Sequence, residues 1–238
     1  MTAGLSIVIS AYEPRGTREA LQLAGDLRPH VDQILVVINS DRLGDVACER
    51  LDGVDIVWRP NKGMNIGAWS IGLGMCDANN HVLCLQDECS LLDRDFRDAY
   101  IQLMNAHGIA LVGETINHKW NYSWQDIAAS SLNYPVTTDS ISPLPRVDYY
   151  LQCLRAWGIE PGPTGRHLRS LVWGVSHKLR EHLRSFPMGA NKEQCIAAEI
   201  GVSRFVEMNL GGQVCQSAAE PFRYFAHPEW RRDGLSKI

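Results

Sequence analysis

Leu5–Tyr12 reads LSIVISAY, a run of β-branched and apolar residues closed by an aromatic. So little polar interruption suits a strand covered on both faces rather than one with a wet side. A turn at Pro14–Gly16 follows. Thr17 is placed to cap a helix running to about Leu27, with Ala20, Leu21, Leu23, Ala24 and Leu27 as its apolar stripe and Pro29 beyond its end. The alternation then repeats. Gln33–Asn39 (QILVVIN) predicts a second strand, and Val54–Trp58 (VDIVW) a third, followed by a helix from about Asn65 to Cys76. His81–Leu85 (HVLCL), a helix around Asp93–Asn105 and Ile109–Val112 (IALV) continue the series. Buried strands separated by helices predict an α/β fold: a mostly parallel, Rossmann-like central sheet flanked by helices.

The second half is less regular. Residues 115–145 carry Trp120, Tyr122, Trp124, Tyr134 and three prolines, which predicts long loops. The aromatics two apart suit either a strand face or a platform for a sugar ring. Helices are expected over Asp148–Trp157, Ser176–Phe186 and Asn191–Ile200, and strands over Ser170–Val175 and Arg204–Met208. No compositional break marks a second domain, so residues 1–238 are expected to form one.

Composition narrows the functional classes. Of 238 residues, 45% are apolar and 21% charged, with 20 glycines and 11 prolines, which argues against disordered, collagen-like and coiled-coil chains. Acidic residues outnumber basic ones 27 to 23, so a dedicated nucleic-acid binder is not expected. No apolar window reaches the roughly 18 residues of a membrane span, and no signal segment is seen, so a cytoplasmic location is expected. The seven cysteines, Cys48, Cys76, Cys84, Cys89, Cys153, Cys195 and Cys215, form no CxxC pair, against a zinc knuckle or disulfide scaffold. The first strand leads into YEPRG rather than GxGxxG, and no GxxxxGK[ST] occurs, so neither NAD nor P-loop ATP chemistry has a handle here.

One local concentration of base stands out. Residues 166–184 hold Arg166, Arg169, Lys178, Arg180 and Arg184 against the single acid Glu181. It suits a solvated helix face, or peripheral contact with anionic lipid or a lipid-diphosphate acceptor.

The segment 81–88, HVLCLQDE, carries the chemistry. A strand there delivers Asp87 and Glu88 to the crevice where open α/β sheets bind ligands. Adjacent carboxylates repel unless a cation lies between them, and Mg²⁺ or Mn²⁺ takes carboxylate and phosphate oxygens together. The alternative is that either acid merely opens the next loop.

In these segments the chain resembles the GT-A nucleotide-sugar glycosyltransferases, particularly glycosyltransferase family 2. The resemblance lies in the order and spacing of Leu5–Tyr12, of Ile34–Asp41, of Val54–Trp58 leading into NKGMNIGA (61–68), and of Leu85-Gln86-Asp87-Glu88. It covers residues 5–114 well and the rest loosely. It departs from the family at Gln86 and Glu88, which stand where aspartates are usual, and this bears on metal dependence.

The resemblance implies roles. Ala11, Tyr12 and Glu13 would lie against the nucleotide, and Asp41 would read the base by accepting an imide N–H. Asn61, Lys62 and Gly63 would meet ribose or phosphate, with Asn65 and Gly67 opening a helix close to the donor. Gln86 and Asp87 would line the donor site, and Asp87, Glu88 and His227 would hold Mn²⁺ or Mg²⁺. Arg231 and Arg232 would close over the diphosphate. The base taking the acceptor's proton would be Glu193, at the start of the Asn191 helix, while Glu199, six residues on, faces elsewhere and is expected to be structural. Residues 1–114 would then form the nucleotide-sugar half and 115–238 the acceptor and catalytic half. The implied activity is transfer of a sugar from a nucleoside-diphosphate donor, UDP- or dTDP-linked on the strength of Asp41, to a hydroxyl of a glycan, lipid-linked or small-molecule acceptor. It would be inverting and metal-assisted, as in polysaccharide biosynthesis. Two alternatives stay open: a catalytically silent module of the same fold that binds a nucleotide sugar or a protein, and a sugar-phosphate nucleotidyltransferase.

Overall fold

The structure, a computed structural model, describes residues 3–138 and 141–228. Its strands are β1 (Leu5–Tyr12), β2 (Gln33–Ser40), β3 (Ala47–Leu51), β4 (Val54–Pro60), β5 (His81–Gln86), β6 (Ser90–Leu91), β7 (Ala110–Gly113), β8 (Pro135–Thr138), β9 (Ile141–Pro145), β10 (Val172–Val175), β11 (Gln213–Gln216) and β12 (Phe225–Ala226). Its helices are α1 (Thr17–Leu27), α2 (Met64–Met75), α3 (Phe96–His107), α4 (Trp124–Ala128), α5 (Arg146–Ala156), α6 (His177–Leu183) and α7 (Lys192–Arg204).

Eight strands form the central sheet in the order β11-β7-β10-β5-β1-β2-β4-β3. β1 pairs in parallel with β2 and β5, β2 with β4, and β7 with β11, while β10 runs antiparallel between β5 and β7. This is the expected mostly parallel, Rossmann-like sheet of the GT-A type. β3 adds an antiparallel edge that the sequence did not announce: ACERL is exposed along its whole length, so no apolar pattern marked it.

The pleat explains the two-faced core. On β1, Ile7 and Ile9 face one layer with Ala20, Leu23, Leu27, Phe96 and Tyr100 of α1 and α3. Val8 faces the other, with Trp69 of α2 and residues of α5, α6 and α7. Trp69 donates its indole N–H to the Leu85 carbonyl at 3.1 Å and packs on Trp173 at 5.1 Å between ring centroids.

Two expectations for the second half change. Residues 204–208 are not a strand: α7 runs through Arg204 and continues as a π-helical turn over Phe205–Asn209. Buried Val206, with Phe205 against Phe186, gives this stretch the apolar look of a strand. The 115–145 region is more ordered than loops, holding a 3₁₀ turn at His118–Trp120, α4, and the β8–β9 hairpin.

The core's tightness gives a paired prediction. A Cβ on Gly174 of β10 would lie 2.6 Å from the Tyr100 ring, whereas one on Gly25, on the exposed side of α1, meets nothing within 4 Å. Gly174→Ala should cost about 1–3 kcal/mol through overpacking. Gly25→Ala should gain about 0.5–1 kcal/mol through helix propensity. Thermal unfolding should therefore move in opposite directions, and a shift of the same sign in both variants contradicts the packing described.

Candidate functional site

Because β1, β2, β4 and β5 are parallel, their C-terminal ends gather at one edge, the place where open α/β sheets bind ligands. Three expected residues meet there from three strand ends. The Tyr12 hydroxyl donates to Asp41 Oδ2, and Asn61 Nδ2 donates to Asp41 Oδ1 at 3.1 Å. These hydrogen bonds, Tyr12's first, hold the Asp41 carboxyl below its ordinary range. The same contact raises the Tyr12 phenol. Ala11 is buried beneath this corner, and the Glu13 N–H bonds the Asn39 carbonyl at 2.9 Å.

A residue not singled out in the sequence braces the neighbouring loop. Buried Arg59 donates from Nη1 to Asn39 Oδ1 at 3.1 Å and from Nη2 to the Lys62 carbonyl at 2.6 Å. An arginine closing the apolar run VDIVW was the available signal. Gly63 opens α2 with φ 74°, and a Cβ on Gly67 would fall 2.0 Å from the Lys62 carbonyl oxygen. Only glycine lets the first turn of α2 sit against this loop. Lys62 itself is exposed.

At the end of β5 the pleat separates the acidic motif. Gln86 turns to the α2–α7 side, where its Nε2 donates to the Ser170 carbonyl at 2.6 Å and its Oε1 lies 3.2 Å from His227 Nε2. Asp87 turns the other way, and its carboxylate occupies the space over Gly16, where a Cβ would come within 1.5 Å of Oδ2. Burial, with the charge of Glu88 adding to it, pushes Asp87 up to about 6 against the pull of the backbone N–H groups of Asp87, Glu88 and Tyr12. Glu88 Oε2 stands 3.5 Å from His227 Nε2. The structure thus joins Glu88 and His227 of the expected metal trio and brings Gln86 to His227 as well, while Asp87 and Glu88 line a cavity of about 510 Å³ beside Pro228.

His227 reaches β5 because the chain before it is fastened. Buried Glu114, at the end of β7, accepts hydrogen bonds from Tyr100 Oη (2.6 Å), Ser217 Oγ (2.8 Å) and the N–H groups of Tyr224 (3.0 Å) and Phe225 (3.3 Å). β12 then pairs with β6. Arg231 and Arg232 lie outside the described residues.

Beside these groups is a cavity of about 280 Å³, whose polar lining includes Asn65, Gln86, Arg169, Ser170, Lys192 and Glu199. Asn65 accepts from Ser10 Oγ at 3.1 Å. Glu199 Oε1 accepts the Ser170 N–H at 2.5 Å. Six helical positions turn the side chain by roughly 240°, so Glu199 does face away from Glu193, but the face it occupies is the cavity's. Glu193 turns toward α5, where its Oε2 accepts from Tyr150 Oη at 2.6 Å and lies 3.6 Å from Arg146 Nε. The Arg146 guanidinium sits over the rings of Trp120, Tyr134 and Tyr150 at 5.3, 4.6 and 5.3 Å.

The basic segment 166–184 is not one surface. Arg166 pairs with Glu207 at 2.7 Å, His167 and Arg180 are buried, Arg169 lines the cavity, and Arg184 pairs with Glu181 at 3.0 Å. Among the described residues no helix is long and apolar enough to cross a membrane. Of the three aromatics two apart, Trp120 and Trp124 are core, while Tyr122, 61% exposed, borders a separate pocket with His118, Lys119 and Asp126.

Among the described residues no group of three or more His, Cys, Asp or Glu is placed to hold a metal ion. Glu88 and His227 do supply a carboxylate and an imidazole on one spot. That donor set fits a divalent cation whose remaining ligands come from outside these two residues.

No protein-family model matches this chain, and no curated protein matches it significantly. Among solved structures it is similar to the mannosyltransferase PcManGT from Pyrobaculum calidifontis in complex with GDP-Man and Mn²⁺, at 12% identity and a TM-score of 0.47 over 94% of this chain. The chain spans 59% of that protein's length. It is also similar to a protein named as a glucose-1-phosphate thymidylyltransferase from Bacillus anthracis (9% identity, TM-score 0.42, 89% of this chain and 85% of that one). A third is the galactosyltransferase LgtC in complex with donor and acceptor sugar analogs (11%, 0.42, 89% and 72%). None of these likenesses bears on what this chain binds.

The raised Asp87 pKa sets the sign of a pH effect. A carboxyl that titrates near 6 when folded and near 4 when unfolded holds its proton more tightly in the native state. Its contribution to stability therefore falls as pH rises from about 4 to about 6 and is level above that. Asp87→Asn should remove this dependence. In urea titrations its advantage over the native chain should widen from pH 4 to 6.5, and an advantage that narrows over that interval contradicts the assignment.

Proposed function

We propose that this chain transfers a sugar from a nucleoside-diphosphate donor to a hydroxyl acceptor. The observation that carries the reading is the meeting of Tyr12, Asp41 and Asn61 from three strand ends, beside the Lys62 loop and the Glu88–His227 pair. Asp41 keeps acceptor capacity for a base N–H, Tyr12 offers a ring face, and Asn61 and Lys62 stand where ribose and phosphate would follow. Gly63 and Gly67 allow close backbone approach. Residues 1–114 would serve the donor and 115–238 the acceptor, a glycan, lipid-linked or small-molecule hydroxyl.

In the transfer the acceptor oxygen attacks the anomeric carbon in a single, inverting displacement while the nucleoside diphosphate departs. Lys62 would meet the growing phosphate charge. A divalent cation, Mn²⁺ or Mg²⁺, would be held by Glu88 and His227, and when bound it neutralises charge on the diphosphate. The proton acceptor would come from one of the two α7 carboxylates, Glu193 or Glu199.

Calorimetry with UDP-, GDP- and dTDP-sugars, each with Mn²⁺, Mg²⁺ or EDTA, tests the reading. One donor class should bind, and Asp41→Ala should weaken it roughly 10–100-fold, the loss expected for a charged hydrogen bond. Binding accompanied by release of nucleoside diphosphate supports a transferase. Pyrophosphate release from a nucleoside triphosphate and a sugar phosphate would identify a nucleotidyltransferase instead, and binding with no turnover a silent module. Absence of binding to every donor overturns the proposal.

A further inference from the structure

We propose that Glu199 takes the acceptor's proton in this transfer, and that Gln86, acting through the Ser170 peptide, is the residue that positions it. The inference rests on the donor-transfer reading above and assigns its proton acceptor.

Of the two α7 carboxylates, Glu199 lines the cavity at the strand ends. Glu193 turns to α5, where Tyr150 and Arg146 engage the same oxygen, Oε2. Glu199 is also fixed on the side that matters. Its Oε1 accepts the Ser170 N–H at 2.5 Å, and the Ser170 carbonyl accepts Gln86 Nε2 at 2.6 Å. The Gln86 N–H joins Leu171 O at 3.2 Å, so the segment before β10 is pinned to the end of β5 by backbone as well. On its other side Gln86 Oε1 lies 3.2 Å from His227 Nε2, which is 3.5 Å from Glu88. A continuous line of polar contacts therefore runs from the Glu88–His227 pair, where the diphosphate is placed, to Glu199. The line holds His227, the Ser170 peptide and Glu199 in one arrangement.

The line also accounts for an amide at position 86. This side chain donates to the Ser170 carbonyl at one end and turns its oxygen toward His227 Nε2 at the other, which a glutamine does with its two different ends. A carboxylate there would set an oxygen against the Ser170 carbonyl with no proton between them. Gln86 is thus a positioning residue, and the departure of QDE from an all-acidic motif has a local cause.

In the step, the acceptor oxygen forms the new bond to the anomeric carbon as the bond from that carbon to the β-phosphate oxygen breaks. The electron pair leaves with the nucleoside diphosphate. The proton passes from the acceptor hydroxyl to Glu199, which becomes a carboxylic acid and returns the proton to solvent. With water as the acceptor the same balance gives free sugar and nucleoside diphosphate.

Three variants test this, with UDP-glucose, GDP-mannose and dTDP-glucose as probes, water as acceptor and released nucleoside diphosphate as the readout. Glu199→Gln should lower kcat roughly 10²–10⁴-fold and leave the donor Kd within about twofold of the native value. Glu199→Asp keeps the carboxylate and should lie between, which preserves the test if the glutamine variant folds poorly. Gln86→Glu should lower kcat by roughly 10–100-fold, the loss of one hydrogen bond in the site, with the loss falling on kcat rather than on KM. Native-like kcat in both Glu199 variants, or a larger loss in Glu193→Gln than in Glu199→Gln, overturns the proposal while leaving the transferase reading intact. A native chain that binds none of the donors removes both.

Discussion

Everything at the candidate site follows from the confinement of β1. It has parallel partners on both edges, β2 and β5, and helices over both faces, so the side chains from Leu5 to Ala11 are all buried. Polar groups within such a strand must find internal partners, as Ser6 and Ser10 do with Gln33, Leu85 and Asn65. Free polar chemistry is therefore displaced to the strand ends. Since β1, β2, β4 and β5 point the same way, those ends share one edge. Tyr12, Asp41, Asn61 and Gln86 are neighbours for that reason, although the chain separates them by as much as the length from the first strand to the fifth.

The same pleat that builds the core divides the motif at the end of β5. Neighbouring residues on a strand face opposite sides, so Gln86 and Asp87 belong to different surroundings. Gln86 joins the line to Ser170 and His227, whereas Asp87 fills the space that a side chain at position 16 would otherwise take. On the far side of the sheet, Glu114 uses its buried carboxylate to fasten the chain from Ser217 to Phe225. A group remote from the cleft thereby decides where His227 stands.

The parallel core was legible because its strands are apolar throughout and its helices are regular; β1, β2, β4 and β5 begin where the sequence places them. The exposed strand β3 left no such trace, and the apolar stretch after Arg204 reads equally as strand or as helix against a core. The convergence of Tyr12, Asp41 and Asn61 was legible only through the family resemblance, which implies a nucleotide contact for each of the three. The cavity role of Glu199 could not. Helical spacing tells that Glu193 and Glu199 diverge, but which of their faces meets the cleft depends on the packing of α7 against α5 and α2. Likewise the bonds of Arg59 and Glu114 join segments whose proximity is a tertiary fact.

The central claim is that a nucleoside-diphosphate sugar lies across the ends of β1, β4 and β5. Hydrogen–deuterium exchange of the native chain with and without UDP-glucose, GDP-mannose or dTDP-glucose tests it most directly. The account predicts that the donor that binds slows exchange in residues 12–16, 59–67 and 86–88 together, because these segments form one edge. Protection confined to residues 118–132, around the pocket beside Tyr122, or no protection with any donor, would contradict it.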